Sequence, residues 1–344
     1  MSEPLVVVDA DVLGRRRTGD ETYVRNLLRE LAGLAPAAGV RVAAVTRRPE
    51  LVPAGIDALR LATPVQELRL AWTLPRLLRR AGAALVHTQY AAPVRSPCPV
   101  VVTIHDLSFE RDPSLMGWKD RTVFRAVVPR AARRAAKVVT VSERSQRDLV
   151  ELYGLPPERV VVTPNGVDPA FRPDGPRDTV SQGGFALAVG GIQRRKNQHA
   201  ALEAARGAGL ELVVVGPVQD AALASDLRDR GARLEGYVET ERLARLYRSA
   251  ACLVQASRHE GFGLPVVEAM ASGCPVVVVR EPALLEIAGD AAVVAEDGAL
   301  AGGVRRALAE RDRLVAAGLE RARAFTWRAT AERTLALYRE LLGR

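Results

Sequence analysis

Two carboxylates eight residues apart, Glu260 and Glu268, stand in the stretch Arg258-His259-Glu260-Gly261-Phe262-Gly263-Leu264-Pro265-Val266-Val267-Glu268. Gly261 and Gly263 let a ligand approach the backbone, and the start of a helix offers free N–H groups beside them. A sugar is a ring of hydroxyls, and hydroxyls are held by carboxylate acceptors together with amide donors. Taken one at a time, a solvated Glu260 and a helix-capping Glu268 explain these residues equally well. A second group is cationic: Arg194, Arg195 and Lys196 follow the paired Gly190 and Gly191, at the mouth of a helix predicted over 197–208. Cations are unfavourable at a helix N-terminus unless an anion joins them, so a diphosphate is the natural third party. The chain has three lysines, Lys119, Lys137 and Lys196, against 46 arginines, which singles out the ammonium at 196 as a point charge for phosphate. A third group, His105-Asp106, closes the apolar run Val100–Ile104, while His87 reads first as structural and His199 as solvated.

These residues need a frame. Pro265 suits a first helical turn and Gly273 with Pro275 a helix stop, so a helix is predicted over 265–272 with Glu268 in its first turn. Apolar runs at 250–256 and 276–279 flank it as buried strands. The same alternation fills the chain. Leu5–Asp9 is a strand, the loop 11–20 follows, and Glu21 opens an amphipathic helix. Strands are expected at 40–45, 84–87, 100–104, 138–142, 160–162, 185–189 and 212–215, with helices near 65–80 and 117–134 and a last one after Phe325. Strands alternating with helices mean an α/β protein with parallel sheets and ligands beyond the carboxyl ends of the strands. A dinucleotide site is unsupported, since no GxGxxG occurs. A length of 344 residues suits two cores: 1–172, a Pro/Gly-rich linker 173–184, 185–325, and a final segment 326–344.

The string from Arg258 to Pro275 resembles the Glu-x7-Glu signature of family 4 glycosyltransferases, retaining enzymes of the GT-B fold, and the resemblance runs from Val6 to Leu342. It implies two Rossmann-like domains with parallel sheets facing a central cleft, acceptor on the first and nucleotide-sugar donor on the second, and a C-terminal helix crossing back to the first domain. It implies that Glu260 and the loop Gly261, Phe262, Gly263 and Leu264 hold the donor sugar, and that Glu268 holds the ribose hydroxyls. Thr103–Phe109 is similar to the family's His-Asp segment, with His105 beside the reacting sugar and Asp106 next to it. Gly14, Thr18 and Gly19 resemble a basic Thr-Gly loop near the donor phosphates and the acceptor, although Asp20 and Glu21 put acid where a phosphate prefers none. The segment after His87 and the turn Pro164-Asn165-Gly166-Val167-Asp168 add His87 and Asn165 to the acceptor side. The family's Arg-x4-Lys spacing falls on Gly191, so Arg195 or Arg194 supplies the second charge beside Lys196, on a strand end carrying Gly190 and Gly191. Arg-Lys-Asn at this point is similar to a mannosyltransferase-like branch. The implied reaction moves a hexose, mannose from GDP-mannose by that branch similarity, to a glycan, lipid-linked or small-molecule acceptor. His105, Glu260, Arg195 and Lys196 are its implied catalytic residues. The nucleotide sugar is a co-substrate; no cofactor and no metal are expected, because no Asp-x-Asp motif stands at a strand end.

Composition narrows the partners. At 48% hydrophobic residues and 4% aromatic, the chain is globular and packs with Val, Leu and Ala. Cys98, Cys252 and Cys274 form no CxxC pair, which favours a reducing compartment over structural zinc. The start, Met1-Ser2-Glu3-Pro4, has no signal-peptide pattern, and no apolar run reaches the ~18 residues of a membrane span, so a cytoplasmic protein is expected. Net charge is +9, and residues 1–172 hold 26 basic against 18 acidic side chains. Either high-Arg solvated faces or an anionic partner accounts for this: a phosphate-bearing acceptor, or a membrane surface touched peripherally by the helix 117–134 with Leu115, Met116 and Trp118. Nucleic acid is not indicated, since the basic residues are not interleaved with aromatics. Two other functions fit the same frame, a nucleotide-sugar epimerase or phosphorylase and a non-catalytic nucleotide-sugar-binding protein.

Overall fold

The structure, a computed structural model, describes residues 3–15, 18–112, 117–178, 184–296 and 298–344, and the backbone alone of Thr18 and residues 118–120. Arg16 and Arg17 of the basic loop, Leu115 and Met116, linker residues 179–183 and the side chains of Thr18 and Trp118 lie outside the described residues. The chain divides into Met1–Gly166 with Trp327–Arg344, and Val167–Thr326.

Runs of Val, Leu and Ala, buried on both faces by crossover helices, become the strands of two parallel sheets. The first holds β1 Leu5–Asp9, β2 Arg41–Thr46, β3 Asp57–Arg60, β4 Ala83–Gln89, β5 Val100–Thr103, β6 Lys137–Thr140 and β7 Val160–Val162, in the order β3-β2-β1-β4-β5-β6-β7. The second holds β8 Phe185–Val189, β9 Glu211–Val215, β10 Arg233–Gly236, β11 Cys252–Gln255, β12 Val276–Val279 and β13 Val293–Ala295, in the order β10-β9-β8-β11-β12-β13. The order reverses between β1 and β4 in one sheet and between β8 and β11 in the other. Loops leaving the carboxyl ends of these neighbours are forced apart, and a crevice opens there.

Helix boundaries shift from the expected ones in informative ways. The first helix is Thr18–Leu34, not one opened by Glu21, so Gly19, Asp20 and Glu21 all sit in its first turn. Glu21 earns its place there: Oε1 accepts from the Gly14 amide at 2.9 Å and from Arg25 at 2.5 Å, which ties the loop after β1 to the helix. The helix near 65–80 is broken by a π turn at Arg69–Thr73 before Leu74–Ala81. That turn delivers Arg69, 1% exposed, to Asp9 at the end of β1, with NH1 to Oδ2 at 2.8 Å and NH2 to Oδ1 at 2.5 Å.

The C-terminal helix, Trp327–Leu341, belongs to the first unit and packs on Thr18–Leu34. Trp327 lies edge-on to Tyr23 at 6.3 Å, and Thr330 Oγ1 donates to Pro164 O at 2.5 Å. The described part of the expected linker is not free chain. Arg248, on the helix Thr240–Ser249, donates to Pro176 O at 2.8 Å and Arg172 O at 3.1 Å, and Arg245 Nε binds Asp178 Oδ1 at 2.9 Å. Residues 167–172, expected in the first domain, belong to the second unit.

A buried ion pair losing one member leaves an uncompensated charge. Arg69→Met is expected to cost about 3–5 kcal/mol of unfolding free energy. Asp9→Asn combined with Arg69→Met is expected to cost less than the two singles together. Denaturant unfolding of the four proteins checks this, and additive losses would contradict it.

Candidate functional site

The crevice of the second unit is built by two loops that the strand reversal makes neighbours. After β8 the chain passes Gly190, Gly191 and a 3-10 turn at Arg194–Lys196, then Asn197 in the left-handed region at φ 52, before the helix Gln198–Arg206. The cations thus sit in a turn ahead of the helix. Gly190 holds φ +140, a conformation that side-chain-bearing residues rarely adopt, and a Cβ there would stand 3.0 Å from Lys196 Cε. Gly191 O accepts from Gln198 Nε2 at 2.9 Å. After β11 the chain passes Ser257 and reaches Glu260. Main-chain atoms join the loops, the Arg258 amide donating to Arg195 O at 2.9 Å and Arg195 NH1 to His259 O at 2.7 Å.

Glu260 is where the two loops meet electrostatically. It is 6% exposed. Oε1 accepts from Lys196 Nζ at 2.6 Å and from Gln255 Nε2 at 2.7 Å, and Oε2 lies 3.2 Å from Arg195 NH1. Burial alone would push the Glu260 carboxyl up; the charges of Lys196 and Arg195, with hydrogen bonds from Lys196 and Ser257, win and hold it at about 2. One carboxylate thus faces two cations, and a buried cluster of net positive charge attracts an anion. Three residues on, Gly263 takes φ +105 and starts the helix Leu264–Ala271, presenting that helix's first amides at the same corner. Gly261 is buried here, and the Phe262 ring turns inward, edge-on to Phe325 at 5.7 Å, so this residue offers a ligand its backbone.

Glu268 is the fifth residue of that helix, one residue deeper than expected, because the helix starts at Leu264. Tyr247 OH donates to its Oε2 at 2.9 Å. Burial pushes its carboxyl up to about 7, the Tyr247 hydrogen bond opposing this and Asp168 adding to it.

In the first unit, β4 and β5 end in Gln89 and Thr103, one residue before Tyr90 and two before His105. His105 Nε2 lies 2.7 Å from Gln89 Oε1, and Asp20 Oδ1 is 3.8 Å away. Tyr23 packs edge-on against the imidazole at 4.9 Å. Burial lowers the His105 pKa against the pull of Asp20 and Asp106, leaving a neutral ring at pH 7. Tyr90, with φ 55, holds a left-handed conformation that costs a non-glycine residue energy, and its ring tilts over His105 at 5.7 Å.

Residues 17–171 match Glycosyltransferase Family 4 and residues 177–324 match Glycosyl transferases group 1. The O-antigen chain mannosyltransferase B of Escherichia coli is 30% identical over 269 residues, 70% of this chain and 70% of that protein. The chain belongs to glycosyltransferase family 4. The MMP alpha-(1->4)-mannosyltransferase of Mycolicibacterium hassiacum is also 30% identical, over 273 residues, 72% of this chain and 66% of that protein. The solved sucrose-phosphate synthase of Thermosynechococcus elongatus has the same fold, with a TM-score of 0.80 at 20% identity over 99% of both chains. That fold is GT-B.

In this family 4 glycosyltransferase the remaining expected site residues, His87, Asp106, Asn165, Gly14 and Gly19, lie in the first unit. His87 has no exposed surface, its ring nitrogens lie 2.5 Å from Tyr338 OH and 2.6 Å from Thr103 Oγ1, and burial pushes its pKa down to about 3. It links the sheet to the C-terminal helix. Asp106 Oδ1 accepts from the amide and hydroxyl of Ser108 at 3.1 and 2.9 Å, starting the short helix Ser108–Arg111. Asn165 is 4% exposed, and its Oδ1 has no hydrogen-bond partner among the described residues. Gly14 holds φ +79 in the loop after β1, while Gly19 is helical with open space around it. Gln89, Tyr247, Gln255 and Ser257 escaped the sequence reading. A signal existed for one of them, since Gln255 is the polar residue that closes the otherwise apolar strand β11.

The folded pKa of Glu260, about 2 against an ordinary 4.5, means its pairing stabilises the protein above the ordinary value and is lost as pH falls through about 2. Lys196→Met is expected to cost about 1.5–3 kcal/mol at pH 7. The gap from wild type should narrow by pH ~3, where Glu260 of the variant is already protonated. Unfolding curves at both pH values check this, and an unchanged gap would contradict it.

Proposed function

We propose that this glycosyltransferase moves mannose from GDP-mannose to a phosphate-bearing or lipid-linked acceptor, with retention of configuration and without a metal ion. The observation that carries this reading is the Lys196–Glu260–Arg195 cluster, two cations and a carboxylate fixed beside the start of a helix. The two relatives described above are mannosyltransferases, which supports mannose, and D-inositol 3-phosphate glycosyltransferases stand among the relatives at similar identity. The acceptor hydroxyl oxygen bonds to sugar C1 as the bond from C1 to the phosphate oxygen breaks, and the acceptor proton passes to that departing oxygen on the same face. Lys196, Arg195 and the helix amides meet the charge that gathers on the diphosphate. Glu260, kept ionised, accepts from sugar hydroxyls, and Glu268 accepts from the ribose. We assign the acceptor to the first unit, with neutral His105 facing its hydroxyls.

A location at the inner face of the membrane fits the surface of that unit. Val65, Leu68 and Trp72 are 45%, 52% and 57% exposed and fall on one side of the helical run that ends at Ala81. The Arg76 guanidinium lies 5.2 Å from the centre of the Trp72 ring, and Arg79 and Arg80 extend the charge. Val94, also exposed, adjoins them through its amide to Leu70 O at 3.1 Å. An aromatic and aliphatic ridge beside arginines suits an anionic lipid surface. Among the described residues no helix is long and apolar enough to cross a membrane.

With a panel of nucleotide sugars, GDP-mannose is expected to be the preferred donor, with transfer unchanged by a chelator; loss restored by magnesium would reject the metal-free mechanism. Glu268→Gln should raise donor KM roughly tenfold to a hundredfold and spare kcat, because the ribose is unchanged in the transition state. Glu260→Gln should fall mainly on kcat and change free GDP affinity less, and only through Lys196 and Arg195. The reverse pattern would exchange the two roles. Anionic vesicles should float the protein at low salt and release it at high salt, with Trp72→Ala weakening the association; equal partition onto neutral vesicles would discard the membrane contact.

A further inference from the structure

Glu268 is held by one oxygen only. Oε2 accepts from Tyr247 OH at 2.9 Å, while Oε1 has no hydrogen-bond partner among the described residues and the residue is half-buried. Tyr247 itself is fully buried, its ring edge-on to Phe171 at 5.7 Å. The helix that carries it, Thr240–Ser249, is anchored at the next residue by the hydrogen bonds of Arg248 to Arg172 and Pro176. Phe171 belongs to the same segment, and Asp168 at the start of that segment faces Glu268. A short chain of parts therefore runs from the 167–178 segment through the Tyr247 ring to one carboxylate oxygen. A carboxylate restrained at Oε2 has a fixed direction for the lone pairs of Oε1, which is what a pair of adjacent ribose hydroxyls needs.

We infer that Tyr247 is a positioning residue of the nucleotide subsite, orienting Glu268 so that its second oxygen receives the ribose hydroxyls. The inference rests on the assignment of Glu268 to the ribose. The groups that act on the Glu268 carboxyl are Tyr247 from the neighbouring helix and Asp168 from the segment after the domain boundary; Cys274 acts in turn on Tyr247. The Tyr247 hydrogen bond favours the ionised carboxylate, and Asp168 and burial disfavour it, so removing the hydroxyl moves the balance towards the protonated acid. A protonated Glu268 must spend a lone pair's worth of its Oε1 or Oε2 capacity as a donor, and the ribose loses an acceptor.

The test is calorimetric binding of GDP, with UDP in parallel, from pH 6 to 8.5 for wild type, Tyr247→Phe and Glu268→Gln, with the melting temperature of each. Wild type should bind more tightly as pH rises through about 7, where Glu268 ionises. Tyr247→Phe should bind roughly threefold to tenfold more weakly at pH 7, and the midpoint of its pH dependence should move upward. It should regain affinity at high pH. Glu268→Gln should be weak and flat across the range. If Tyr247→Phe lowers the melting temperature but leaves the midpoint where it was, Tyr247 is structural and the inference is overturned. If Glu268→Gln binds as wild type does, the ribose assignment itself fails, and the inference with it.

Discussion

A carboxylate buried with two cations is the interaction on which the donor half of this protein depends. Glu260, Lys196 and Arg195 come from loops 64 and 65 residues apart in sequence. They meet because β8 and β11 are neighbours at the point where the strand order reverses. Buried charges are tolerated only when paired and hydrogen-bonded. Glu260 is therefore what allows Lys196 and Arg195 to wait, partly desolvated, for a diphosphate. In return the cations keep Glu260 ionised, so that an acceptor for sugar hydroxyls is ready at neutral pH. Neither half of the cluster is reasonable alone, and folding the sheet assembles both at once.

The first unit applies the same economy at its own reversal, between β1 and β4. Arg69 reaches Asp9 by way of a π turn, and Glu21 ties the Gly14 loop to the first helix. Glu21, which looked out of place beside a phosphate, is engaged in holding protein. His105 is framed by Gln89, Tyr23 and Asp20, and Tyr90 keeps a strained conformation next to it. Strain of this kind persists only where the surroundings over-determine it, and here the Tyr90 amide is fixed on Thr103 O at 2.9 Å while its ring packs against His105 and Phe124.

Much of this was legible in the sequence. Buried parallel strands advertise themselves as unbroken Val and Leu runs, and β1, β4, β5, β8, β11 and β12 lie where such runs stand. The edge strand β3, Asp57–Arg60, does not, because it is exposed along most of its length and its residues carry no apolar pattern. Glycines and prolines bracketed the helix that bears Glu268, yet its start at Leu264 depends on Gly263 taking a positive φ, which no spacing reveals. Short motifs exposed Glu260 and Lys196 as separate candidates. Their pairing is a property of strand order, not of either segment. Histidines were the least legible residues: His87 and His105 both follow apolar runs, and only burial and partners separate a structural link from a site residue. Tyr247 and Phe171 stand in unremarkable stretches and acquire meaning through a hydrogen bond to Glu268 and a ring contact.

The most direct measurement is a crystal structure of the protein with bound GDP. The diphosphate oxygens are expected within hydrogen-bonding distance of Lys196 Nζ and the Arg195 guanidinium, with the ribose hydroxyls on Glu268 Oε1. A nucleotide bound in the first unit, or one whose diphosphate leaves the Lys196–Glu260–Arg195 cluster untouched, would contradict the assignment of this cluster as the donor site.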